Sequence, residues 1–236
     1  ACAADPRRAE RVNVGGSLTV FEAAAAAGVR VVYASSKAAF GVPTGIHGPP
    51  AYEPMGEDAP KDPHTVYGAT KLAVEHLAGA YRRDGADLVG LRFASTYGPG
   101  KGDAHGDLAY VPGLIRRAAA GEPVEVVGAD QPNDFVYYGD VARGVAAAIE
   151  ADDPAHAVYH VGGGETVTLR DVADALREKT DAEVAVEGGT NFRGADPPTY
   201  CRLDISRARD DLGYEPAFPV DRAVADFVEK VGSPGA

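Results

Sequence analysis

The sequence predicts an α/β fold built on a doubly wound parallel sheet, and three stretches carry that prediction. A β-branched run, Val29, Val31 and Val32, follows Gly28 and ends in Ser35-Ser36. A helical stretch then opens at Thr65, with Leu72, Ala73, Leu77 and Ala80 at helical spacing, and a second strand runs from Asp87 to Phe93. The two serines close the first strand at its C-terminal end, where open α/β sheets place their ligand crevice.

Taken in order, Asp5-Pro6 offers an N-cap followed by proline at the first helical position, and the helix should run to Ala27 with Gly28 as its left-handed cap. After the first strand, Val42 to Pro63 is a loop rich in proline and glycine that lies between Ser36 and Tyr67. Loops of this length in a compact domain are usually functional, and this one is expected over the substrate. Its His47 and the following His64 have no carboxylate or cysteine at metal-ligand spacing and read as solvated. Beyond the strand ending at Phe93, Thr96 to Gly100 reads as a turn-rich crossing. A glycine- and charge-rich loop, Lys101 to Asp107, leads to a helix from Leu108 to Ala120 whose start Pro112 should delay.

Val124 to Val127 is a short strand, and Asp140 is expected to cap a helix reaching Ile149. Val158 to Val161 is a strand, Thr168 caps a helix through Lys179, and Glu183 to Val186 is a further strand. Asp204 caps a short helix ending at Leu212-Gly213, and a last helix begins at Asp221. The triple glycine Gly162-Gly163-Gly164 follows a late strand and lacks the spacing of a dinucleotide fingerprint, so it reads as a loop.

Composition narrows the function classes. A net charge of −12 with only six lysines leaves no basic patch for nucleic acid or an anionic membrane. No apolar run approaches the length of a membrane span and no signal-peptide pattern is present, so a cytoplasmic location is the default expectation. Two distant cysteines, Cys2 and Cys201, indicate neither a disulfide framework nor a metal site.

The chemistry lies on the helix opened by Thr65. Tyr67 and Lys71 are four residues apart and project from one face. A free phenol has a pKa of about 10, too high for a base at neutral pH. An ammonium about 4 Å away contributes roughly 4 kcal/mol at an effective dielectric near 20, or about 3 pKa units, which would bring Tyr67 into the range of a general acid/base. A nearby serine hydroxyl could hold the substrate oxygen whose proton the tyrosine takes.

Ser35-Ser36-Lys37-Ala38-Ala39-Phe40-Gly41, Tyr67-Gly68-Ala69-Thr70-Lys71 and Leu91 to Gly100 resemble, in order and spacing, landmarks of the extended short-chain dehydrogenase/reductases. The closest branch is the NAD-dependent epimerase/dehydratase family, and the similarity runs from about Asp5 to Val228. The resemblance implies a Rossmann-type sheet with a small C-terminal substrate lobe. It divides the chain into a partial NAD-binding domain, 1–98, and a mainly substrate-binding lobe, 99–236, with segments near 134–161 returning to the sheet.

By the same resemblance, Ser36, Tyr67 and Lys71 are catalytic. NAD, or alternatively NADP, would meet Ser35, Tyr67, Lys71, Phe93 and Ala94, and the substrate would meet Ser36, Lys37, Ser95, Arg193 and Asp196. Val12 to Ser17 is similar to a family stretch that packs beside the cofactor. No metal is implied, and the complete protein is expected to be a homodimer. The family's glycine-rich βαβ unit has no counterpart here, so the sequence reads as truncated, with roughly 70 to 90 residues expected upstream carrying that fingerprint.

Arg193 and Asp196 match a pair that binds the nucleotide end of a nucleotide sugar in the family's epimerases. Ser95 stands where the family usually has asparagine, and Asn133 where many members have arginine. Lys37 and Ala38 replace the acidic pair of the sugar dehydratases and disfavour that reaction. Three readings follow: an epimerase of a nucleotide sugar, a dehydrogenase or reductase of a smaller hydroxy or keto substrate, and a catalytically silent binding fragment.

Overall fold

The computed structural model describes residues 2–100, 109–190 and 200–232. They fall into two compact units. One comprises Ala1–Ala94, Val141–Val161 and Cys201–Glu215, and the other Ser95–Asp140, Gly162–Tyr200 and Pro216–Ala236. Cys201–Glu215 belongs to the unit that bears the first strand, Val31–Ser36. No helix among the described residues is long and apolar enough to cross a membrane.

The first unit begins with α1 (Pro6–Glu10), whose cap is Asp5 accepting from the Arg8 amide. A π-helical turn, Arg11–Gly15, interrupts the predicted helix before α2 (Gly16–Ala27), which ends at Gly28 in the left-handed conformation with φ 64°. Then come β1 (Val31–Ser36), α3 (Val66–Arg83) and β2 (Leu88–Phe93). The strand β7 (Val158–Val161) completes a parallel sheet of order β1-β2-β7. Central β2 is buried from Leu88 to Arg92, which means that both faces of the sheet are covered. Phe21 of α2, Tyr33, Val74, Ala78 and Leu88 form the apolar cluster beneath α3. Gly90 is required there, because any Cβ would lie 2.6 Å from the Tyr33 hydroxyl that crosses above it.

The sheet also carries a buried polar row. Ser35, Arg92 and His160 are register partners across β1, β2 and β7. Arg92 grips both oxygens of Glu75 from α3, at 2.7 and 2.6 Å, with side chains only 4% and 5% exposed. The Ser35 hydroxyl donates to the same carboxylate. Arg92 further donates to the Glu57 carbonyl at 2.9 Å and lies 3.3 Å from His160 Nε2. His160 Nδ1 lies 3.0 Å from the Asp204 carbonyl, which can only accept, so Nδ1 carries the proton and Nε2 accepts from Arg92. That arrangement requires a neutral imidazole. Burial holds its pKa down to about 3, and the charge of Arg92 pushes the same way.

The unfolded imidazole takes up a proton below about pH 6.5, and the folded one does so only near 3. Stability contributed above the first value is therefore lost as pH falls towards the second. Between pH 7 and pH 5 His160 should account for about 2 kcal/mol of lost stability. Denaturant titrations at both pH values should show that His160→Gln removes this share of the pH dependence. Equal losses in wild type and variant would mean that His160 charges within the fold.

The long loop after β1 is held at its base and along its length. Gly41, at φ 82°, bridges to Asp62, whose carbonyl would lie 1.9 Å from any Cβ at position 41. Met55 bridges to Leu203, and the Glu57 carboxylate accepts from the backbone amide of His160 at 3.1 Å.

The second unit contains β3 (Ser95–Tyr97), α4 (Tyr110–Ala119), β4 (Val124–Val126), β5 (Pro132–Asn133) and β6 (Phe135–Tyr137). The helix α5 (Tyr138–Glu150) carries the chain back to the first unit. Then follow β8 (Val167–Thr168), α6 (Leu169–Lys179) and β9 (Val184–Val186). In the first unit, α7 (Ser206–Leu212) precedes the final helix of the second, α8 (Val220–Gly232). The strands pair as β3-β6 and β4-β9 in parallel and β5-β8 in antiparallel.

Three expectations are corrected in this unit. The crossing after Phe93 opens as strand β3, since Ser95–Tyr97 finds a partner in β6. Pro112 sits inside the first turn of α4 and does not delay it, because first-turn amides have no intrahelical acceptor to lose. Asp140 lies within α5 rather than capping it, and its carboxylate accepts from the Ala217 and Phe218 amides at 2.7 and 3.1 Å. Thr168 does cap α6, in a reciprocal box with Asp171.

Candidate active site

Ser36 ends β1 in extended conformation and caps the 3-10 turn Lys37–Ala39, its Oγ accepting from the Ala38 amide at 3.2 Å. Across from that turn, α3 is started by Thr65, whose Oγ1 accepts from the Gly68 amide at 3.0 Å. A Cβ at Gly68 would lie 2.2 Å from the Ala38 carbonyl oxygen. Only glycine lets the first turn of α3 come this close to the turn that Ser36 caps, and Ser36 is near enough to the Tyr67 phenol to act on its pKa. Tyr67 is 39% exposed.

One turn on, Lys71 Nζ donates to the Ala34 carbonyl at 2.8 Å and lies 5.6 Å from the centre of the Tyr67 ring. Asn13, on the π-helical turn, donates to Thr70 Oγ1 at 2.9 Å, and Thr70 donates to the Tyr67 carbonyl at 2.8 Å. Asn13 therefore braces the helix that carries Tyr67. A π-turn often marks a functional position in a helix, and here it sets the angle of Asn13.

The electrostatics differ from the expectation drawn from spacing. Burial pushes the Tyr67 phenol above its ordinary value; the Ser36 hydrogen bond pulls it down and the Cys2 thiol adds a smaller upward push. Burial pushes the Lys71 ammonium down, with Cys2 opposing. The spacing argument put the ammonium about 4 Å from the phenol and gave it control of Tyr67. In the structure it is directed at the Ala34 carbonyl, and desolvation outweighs it.

The remaining residues named from the sequence fare differently. Phe93 ends β2 as the register partner of Ser36, beside the crevice. Ala94 follows it, its amide donating to the Val161 carbonyl at 3.0 Å. Lys37 opens the turn next to Ser36. The Ser35 hydroxyl is buried and donates to Glu75, so this side chain is engaged in the core network. Ser95 lies in the other unit, where its amide donates to the Asp134 carbonyl. Arg193 and Asp196 lie outside the described residues.

Sequence reasoning missed the Glu75–Arg92 pair. The available signal was an arginine inside the apolar run Leu88 to Phe93, which needs a buried counter-ion.

Residues 1–162 match the family model described as the NAD dependent epimerase/dehydratase family. The chain belongs to that family. It is 33% identical over 235 residues to a UDP-glucose 4-epimerase of Mycolicibacterium smegmatis, an alignment covering 95% of this chain and 70% of the relative. It is 30% identical over 217 residues to the Streptomyces lividans UDP-glucose 4-epimerase, covering 87% of this chain and 64% of the relative. The chain thus spans about two thirds of the length of these curated relatives. Its fold matches the Thermus thermophilus UDP-glucose 4-epimerase solved in complex with NAD, with a TM-score of 0.78 and 28% identity over 98% of this chain and 73% of that one. Parallel pairing of β1, β2 and β7 is the Rossmann-type arrangement expected of this family.

Proposed function

We propose that the chain carries the acid/base machinery of a nucleotide-sugar epimerase that acts by transient oxidation at a hydroxyl-bearing carbon. The observation that supports this reading is the close approach of α3 at Gly68 to the turn that Ser36 caps, which sets Ser36, Tyr67 and, one turn on, Lys71 together at the C-terminal end of a parallel sheet. Ser36 Oγ holds the substrate hydroxyl, and Tyr67 Oη takes its proton and returns it at the end of turnover. The donor set fits NAD: Lys71 has three N–H groups, one engaged by Ala34, and a ribose hydroxyl suits the others. Phe93 and Ala94, at the end of the neighbouring strand, would line the cofactor's reactive end. When bound, NAD supplies the hydride acceptor that the oxidation needs.

A second reading, a dehydrogenase of a smaller hydroxy or keto substrate, is favoured by Asn133. This residue stands where many relatives have an arginine, is buried, and donates to the Gln131 carbonyl at 2.8 Å.

Full-length protein incubated with UDP-glucose or UDP-galactose, without added nicotinamide cofactor, separates the two. The epimerase reading expects interconversion with no growth in reduced-cofactor absorbance. Stoichiometric reduction of added NAD with release of a keto product would replace it with the dehydrogenase reading. In the same assay Arg193→Ala should raise KM about tenfold or more and leave kcat unchanged, since a diphosphate loses a paired, charge-assisted contact. An unchanged KM for every UDP- and GDP-sugar would remove the nucleotide from the substrate.

A further inference from the structure

Tyr67, Lys71 and Glu75 are spaced by four residues on α3 and all meet the last three residues of β1. Tyr67 lies close enough to Ser36 for it to act on the phenol's pKa, Lys71 donates to the Ala34 carbonyl, and Glu75 accepts from the Ser35 hydroxyl. Glu75 is also gripped by both ends of the Arg92 guanidinium, from the strand position paired with Ser35. The α3 residues in the apolar cluster beneath it, Val74 and Ala78, lie in its later half. The turn bearing Tyr67 is instead placed by polar ties and by the close approach at Gly68.

Apolar contacts are non-directional and tolerate sliding. A bidentate guanidinium–carboxylate pair does not, because its two parallel bonds fix both distance and orientation. Along a helix the step from Glu75 back to Tyr67 is about 12 Å, so a small rotation at Glu75 becomes a displacement of the phenol relative to Ser36.

We infer that Glu75, Arg92 and Ser35 are positioning residues for the proposed reaction, forming a buried clamp that sets the register of α3 on β1 and so the Ser36–Tyr67 geometry. The inference rests on the epimerase reading for its kinetic consequences, but the placement of α3 can be read without any substrate. None of the three touches the reacting atoms. Phe40 and His160 pack around Arg92, which keeps the guanidinium from turning away from Glu75.

The test uses full-length protein and two variants chosen to keep the fold. Ser35→Ala removes one hydroxyl from the clamp and leaves the ion pair intact. The double variant Glu75→Gln, Arg92→Gln removes both charges together, so no lone charge stays buried, whereas either single change strands its partner.

Hydrogen exchange of the amides in the segment 69–72 is the first readout, and both variants should exchange faster there at unchanged exchange in β2. Turnover is the second. For both variants kcat should fall between about 10- and 100-fold, the scale expected of a misplaced catalytic group, with KM and NAD affinity within twofold of wild type. The double variant should recover the thermal midpoint lost by either single variant without recovering kcat. Recovery of kcat together with the midpoint, or unchanged exchange at 69–72 in both variants, would reduce the network to ordinary core structure. Absence of turnover in wild type would sink the epimerase reading alone, because the exchange measurement still reads the clamp.

Discussion

Tyr67→Phe is expected to lower turnover of the full-length protein by about 100- to 10,000-fold, the range lost with a general acid/base. The change deletes the phenol oxygen beside Ser36 and keeps the ring that Lys71 overlies. Volume and packing are almost unaltered at a residue already 39% exposed, so the thermal midpoint should hold. The loss should fall on kcat, with KM near wild type, because a group acting in proton transfer contributes little to ground-state binding. A variant keeping more than a tenth of wild-type kcat would show that another group moves the proton, and the Ser36–Tyr67 contact would then be structural.

Arg92→Met should produce the largest loss of stability of any single change in the sheet. It leaves the Glu75 carboxylate inside the protein with only the Ser35 hydroxyl to meet it, and frees the Glu57 carbonyl and His160 Nε2 as well. Breaking a buried pair by removing one partner costs about 3 to 5 kcal/mol, since the remaining charge has lost both water and counter-ion. Guanidinium titration would measure it as a lowered midpoint. Arg170→Met is the useful contrast. That arginine pairs with Asp130 at 2.5 Å, yet both side chains are nearly half exposed, and water replaces the lost partner. A loss for Arg92→Met no larger than that for Arg170→Met would mean that water replaces Arg92 at the Glu75 carboxylate.

Much of the secondary structure in both units was legible because its signals are local. Thr65, Gly28 and Thr168 act on residues within a few positions of themselves, and each caps its helix as expected. The strand Val158–Val161 announced itself by composition and by flanking turns. Tyr67 and Lys71 could be placed on one face from helical periodicity alone.

The features that escaped are those in which distant residues decide. Nothing near Ser35 in sequence distinguishes it from Ser36, and its burial follows from Glu75 and Arg92, 40 and 57 positions away. Strand β3 exists because β6 lies beside it, so its own three residues read as a crossing. The pKa of Tyr67 could not be read from a four-residue spacing either. Spacing gives the direction of the Lys71 side chain but not the carbonyl that captures it, nor the burial that opposes it.

The bridge from Gly41 to Asp62 has a bearing on how such a protein can diversify. It closes the excursion between Ser36 and Tyr67 at its root, and the Met55–Leu203 bridge fastens the excursion a second time. The span 42–54 is therefore an arc strung between fixed posts, whereas 56–61 is tied through Glu57 to Arg92 and to the His160 amide. The first arc can lengthen, shorten or change composition without pulling on the bridge at its root, and longer loops add closure entropy only slowly. If this loop covers the substrate as the sequence suggests, selectivity could change in the first arc without moving Ser36 or Tyr67, which makes 42–54 the place to graft a new specificity.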